Sequence, residues 1–77
     1  MTILRDAILN CMIETGRLSP GDKIEITAIT GDNGSDYRRV EILATKKRHK
    51  KPFIYWNISL DIARNLIHWD TSTSYYL

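Results

Sequence analysis

The 77-residue chain carries 43% hydrophobic and 26% charged side chains and a formal net charge of +2. A chain of this length is read as one domain, residues 1–77, that buries only about 60–65% of the surface its unfolded form exposes. That argues against a large enclosed active site and directs attention to patches and grooves. The composition excludes disorder, and no apolar run reaches the ~18 residues that span a bilayer.

The opening stretch shows no leader pattern, because Arg5, Asp6 and Asn10 interrupt the apolar residues between Ile3 and Ile13. A cytoplasmic protein without a membrane partner is therefore expected. Cys11 is the single cysteine, so neither an internal disulfide nor a thiolate zinc cage can form.

Thr2 to Thr15 reads as a helix: Leu4, Ile8, Cys11 and Thr15 recur at helical spacing, with Ala7 and Met12 beside them. Thr2 suits the amino-terminal cap, and Gly16 suits a left-handed stop. Cys11 is expected to face the core. Ser19-Pro20-Gly21-Asp22 is a turn of type II chemistry, with Pro presetting φ and Gly accepting the positive φ that follows. Lys23 to Thr30 then alternates as a half-buried strand with Ile24, Ile26 and Ala28 inward.

Residues 31–35 read as a hairpin turn. Asp32 and Asp36 hint at a calcium loop, but the ligand order fails, and no metal is expected there. Tyr37 to Thr45 is a second strand, with Val40, Ile42 and Ala44 inward. Pro52 prevents helix continuity and marks a strand start or edge. Phe53 to Leu60 is a third strand with Ile54, Trp56, Ile58 and Leu60 on one face and Phe53 and Tyr55 on the other. Ser59 suits the cap of a short helix from Asp61 to Ile67; a strand over Leu66–Trp69 is the open alternative. Asp70 to Ser74 reads as loose, and Tyr75–Leu77 as a frayed end or a terminal strand.

These elements predict an α+β fold. An antiparallel β-meander of about three strands carries an N-terminal helix and a short C-terminal helix. Closure into a small SH3-like barrel is the alternative, suggested by the run from Pro20 to Ile26 followed later by Ile58-Ser59-Leu60.

Charge is unevenly spread. Lys46-Lys47-Arg48-His49-Lys50-Lys51 holds five of the eleven Lys and Arg residues. Tyr37 to Leu60 has seven basic residues against Glu41 alone, a balance of +6; the remainder has four against eight, a balance of −4. One basic pole follows, at the apex of a long hairpin or as a protruding two-stranded arm that extends it, suited to steering an anionic partner. Lysines that blunt a sheet edge against aggregation are the bland explanation.

The functional reading adds the aromatics. Lys46, Lys47, Arg48, Lys50 and Lys51 would meet phosphates, His49 would donate to one, and Arg38 and Arg39 would extend the patch. Phe53 and Tyr55 are the candidates for stacking on bases. The expected function is a small nucleic-acid-binding accessory or regulatory protein of low sequence specificity, for DNA or RNA. The alternative is a protein–protein regulator or inhibitor that docks the same hairpin on an acidic surface. A homodimer through a sheet edge is a further option.

Catalysis lacks support. His68-Trp69-Asp70 allows a carboxylate–imidazole pair if the segment is a strand. No nucleophile elbow, phosphate-cradling glycine loop or zinc spacing is present. No enzyme activity and no cofactor are expected.

Overall fold

The computed structural model describes the backbone of residues 2–31 and 37–77 and the side chains of that set from Leu4 onward. The expected 31–35 turn and the rejected calcium loop lie almost wholly outside the described residues, as does the Thr2 side chain. Helix α1 spans Thr2–Glu14. Strands β1 (Lys23–Thr30), β2 (Tyr37–Thr45), β3 (Ile54–Asp61) and β4 (Leu66–Tyr76) follow. They form one open antiparallel sheet in the order β1-β2-β3-β4. The α+β meander expected from sequence is present, as an open sheet rather than a closed barrel.

Helix α1 ends where Gly16 takes a φ of 79°. The Gly16 amide donates to the Ile13 carbonyl at 3.0 Å and the Arg17 amide to the Met12 carbonyl at 2.8 Å. This doubly bonded stop satisfies carbonyls that the helix leaves without partners. It also turns Leu18 into the core. Ile8 and Met12 are the fully buried helix residues, while Cys11 is half-buried against the core and Thr15 is exposed.

The Ser19–Asp22 turn forms as expected, with Gly21 at a φ of 94° and the Asp22 amide bonded to the Ser19 carbonyl at 3.0 Å. In β1 the register shifts between Ile26 and Ala28. Ile26 still lies opposite Ile42, but beyond the shift Ala28 lies opposite Glu41 and Ile29 opposite Val40. Partners across a ladder share a face. The ladder therefore puts Ile29 on the side of Val40 and Ala28 on the side of Glu41, although Ile29 stays 38% exposed and Ala28 half-buried, and the strict alternation read from the sequence fails at Thr27.

The inward residues of β2 and β3 are as expected: Val40, Ile42, Ala44, Ile54, Trp56, Ile58 and Leu60 are all buried. With Ile8, Met12, Leu18, Ile24 and Ile67 they make one cluster between helix and sheet.

The short helix after Ser59 is not formed. Residues 62–65 are a turn, and the chain returns as β4. The Asp61 carboxylate accepts the Arg64 amide at 3.1 Å, and Asn65 adopts a φ of 52°. The physical reason is β3, a central strand whose second edge must be hydrogen-bonded. Pairing Leu60 with Ile67 satisfies that edge and buries Ile67. The loose segment expected at Asp70–Ser74 also belongs to β4. It bows out between His68, opposite Ser59, and Thr73, opposite Asn57. The Thr71 and Ser72 hydroxyls donate to the His68 carbonyl at 3.2 and 2.8 Å and close the bow.

Candidate nucleic-acid interface

Residues 46–53 join β2 to β3, so the basic block forms the tip of that hairpin. A turn closes it, with the His49 amide bonded to the Lys46 carbonyl at 2.9 Å and the Phe53 amide to the Ala44 carbonyl at 3.0 Å. Lys47, Arg48, His49, Lys50 and Lys51 are exposed. Among the described residues, no ion pair engages Lys47, Arg48, Lys50 or Lys51.

Lys46 differs. Its ammonium meets the Asp22 carboxylate at 3.1 Å, and the same carboxylate accepts the amides of Ser19 at 2.8 Å and Lys47 at 3.0 Å. Asp22 is only 4% exposed. Burial pulls its pKa upward, but the two amides and the Lys46 ammonium outweigh it and hold the group below the ordinary value of 3.8. Asp22 is thus a buried clamp that ties the type II turn to the root of the tip. Lys46 belongs to that clamp before it belongs to any partner.

Two grooves flank the clamp. A cleft of about 370 Å3 on one side is lined by Lys23, Lys46, Lys47, His49 and Lys50. Lys23 was counted with the acidic remainder of the chain, yet the pairing of Lys23 with Thr45 brings it to the tip. A second groove, of about 230 Å3, is lined by Arg17, Lys46, Phe53, Trp56 and Tyr76. Arg17 lies over the Trp69 ring, 3.7 Å from its centroid. Phe53 sits between the His49 ring at 6.0 Å and the Tyr76 ring at 5.8 Å.

Arg38 and Arg39 do not extend the tip. They sit at the other end of β2, about 23 Å from Lys46 at ~3.3 Å per residue. They also point to opposite faces: Arg38 lies opposite Leu60 and Arg39 opposite Ser59. Arg38 donates to the Tyr37 carbonyl at 2.9 Å and Arg39 to the Thr71 carbonyl at 3.3 Å. The sequence pattern gave proximity along the chain, and the strand turned it into separation.

The stacking pair is divided as well. Phe53 packs against the core cluster, whereas Tyr55 remains on the outer sheet face, which no helix covers among the described residues. There Tyr55 stacks on Tyr75 with centroids 4.8 Å apart, and its hydroxyl donates a short hydrogen bond to Glu41. That bond to Glu41, with burial behind it, raises the Tyr55 pKa above 10.0. Tyr75 and Tyr76, 56% and 77% exposed, were not candidates. Two adjacent tyrosines at a strand end were the available signal.

His68 finds a different carboxylate from the one its sequence neighbourhood suggested. Asp70 is exposed in the bow of β4, and the His68 Nε2 faces the Asp61 carboxylate at 3.7 Å, too far for a hydrogen bond. Among the described residues, no three His, Cys, Asp or Glu side chains gather as a metal site, and no helix is long and apolar enough to cross a membrane.

No protein-family model, curated protein or solved structure matches the chain.

Proposed function

We propose that this protein binds nucleic acid through the phosphate backbone, with the β2–β3 tip as the contact element, in an accessory or regulatory role with low sequence specificity. One observation supports the reading: among the described residues, Lys47, Arg48, Lys50 and Lys51 stand exposed on a single connection with no ion pair engaging them, and Lys23 lines a cleft with Lys47 and Lys50. Unpaired cations gathered in this way exchange condensed counterions for phosphates, and that exchange supplies most non-specific affinity. Among the described residues, no helix is placed to read base edges. The outward side of α1 carries Arg5, Asp6, Asn10 and Glu14, and its two carboxylates oppose a groove lined with phosphates.

The test is a gel shift or anisotropy titration with mixed DNA and RNA at several salt concentrations. Four free tip charges give a slope of log affinity against log salt of about −3 to −4. Replacing Lys47, Arg48, Lys50 and Lys51 together by Ser should remove retention and leave the thermal midpoint within about 4 °C of the parent, because exposed and unpaired side chains contribute little to stability. Retention that survives this replacement refutes the reading. A lysate partner captured by the tip after nuclease treatment refutes it in favour of an acidic protein surface.

A homodimer through a sheet edge would have to use β1 or β4. The register shift at Thr27 and the bow at Trp69–Ser72 interrupt both edges, which is how natural sheets discourage such pairing.

A further inference from the structure

The two grooves that share Lys46 are chemically unlike, and their difference specifies the form of the nucleic acid. The lysine cleft offers four ammonium groups, from Lys23, Lys46, Lys47 and Lys50, with the His49 imidazole beside them. The other groove offers flat apolar walls, Phe53 and Tyr76, with a guanidinium at its side. The Arg17 guanidinium carbon sits 3.7 Å from the centroid of the Trp69 ring. A guanidinium placed on an indole ring, beside the half-buried Phe53 ring and the exposed Tyr76 ring, suits a planar, acceptor-rich heterocycle that is attached to an anion. At about 230 Å3 the groove falls below the ~300–1,000 Å3 of pockets that enclose drug-sized ligands. It matches one planar base, not a whole cofactor.

The geometry points to a single-stranded nucleic acid as the ligand, with one unstacked base in the Arg17–Phe53–Tyr76 groove and its flanking phosphates in the lysine cleft. The inference rests on the phosphate-binding role of the tip and adds the class of strand. A base inside a duplex is stacked on both sides and cannot enter such a groove; a base in a single strand can. Charge alone works in the opposite direction. Duplex has the denser phosphates, with about −0.9 per contact in the salt slope against about −0.7 for single strands. A preference for single strands therefore reports the aromatic groove and not the lysines.

The experiment compares labelled single-stranded oligonucleotides, DNA and RNA, with the matching duplex and with an abasic single strand of equal phosphate number, at one salt concentration. The intact single strand is expected to bind at least about fivefold tighter than either duplex or abasic strand. Tyr76→Ala, a change at a highly exposed position, should weaken the intact strand by about 5- to 150-fold, the range for one base on one aromatic. It should leave duplex and abasic affinities unchanged. Arg17→Gln, a second variant on the connection between α1 and β1, should reduce the same discrimination. Equal affinity for all three ligands, or a Tyr76→Ala loss that also appears on the abasic strand, overturns the single-strand inference and leaves the phosphate-binding reading intact. Failure of the unaltered protein to retain any of the ligands overturns both.

Discussion

Asp22 shows how one side chain links folding to the candidate site. Its carboxylate accepts two backbone amides and one ammonium, so removing its charge leaves donors buried without full compensation. Asp22→Asn should destabilise the fold by about 1–3 kcal/mol, read by urea unfolding. The sign of the pH dependence follows from the depressed pKa. The contribution is present above the ordinary carboxylate value of 3.8 and is lost as pH falls through the lower value of the folded chain. The difference in stability between parent and variant should therefore shrink below pH 4, in unfolding curves taken at stepped pH. Nothing in the local sequence announces this role. Asp22 reads as turn chemistry, and its partners Lys46 and Lys47 lie far along the chain.

At the scale of elements, the β3–β4 turn separates what is legible from what is not. Asp61, Arg64 and Asn65 satisfy either a helix start or a tight turn, and the choice falls to β3, which needs a partner on its second edge. Asn65 carries the turn at positive φ, a conformation that disfavours residues with a Cβ, least of all Asn and Asp. Asn65→Gly should be neutral or slightly stabilising, while Asn65→Val should cost about 1–2 kcal/mol. Comparison of thermal midpoints for the two variants checks this; equal midpoints would show that the turn tolerates any side chain. The bow at Trp69–Ser72 belongs to the same scale. By breaking the alternation of β4 it frees Trp69 to pack against the core and receive Arg17, and Arg17 in turn lines the groove.

The whole molecule is a thin layer of core between one helix and one sheet, with the site at a single end. At ~0.05–0.15 kcal/mol per residue its net stability is about 4–12 kcal/mol. Ile58 is fully buried on the central strand, and Ile58→Ala should cost about 2–5 kcal/mol. That is a large fraction of the total. The variant should show a strongly lowered urea midpoint, and an unchanged midpoint would mean that the core lies elsewhere. The tip stands apart from this core, so charge replacements there and truncations here should act on different observables, affinity and stability respectively.

The bounds of β1 and β2, those of α1 and β3 to within one residue, the glycine stops, and the position of the basic block between the second and third strands were determined by sequence alone. Each depends on side-chain period and turn chemistry within a few residues, which the order of residues records directly. Only the tertiary structure decided that Lys23 and Arg17 join the tip, that Lys46 is clamped by Asp22, that Arg38 and Arg39 stand at the opposite end, and that Tyr76 walls a groove. Those outcomes follow from which strands pair and in what register. Pairing is a contest between distant segments for the same backbone hydrogen bonds and the same buried area, and no local pattern contains the result.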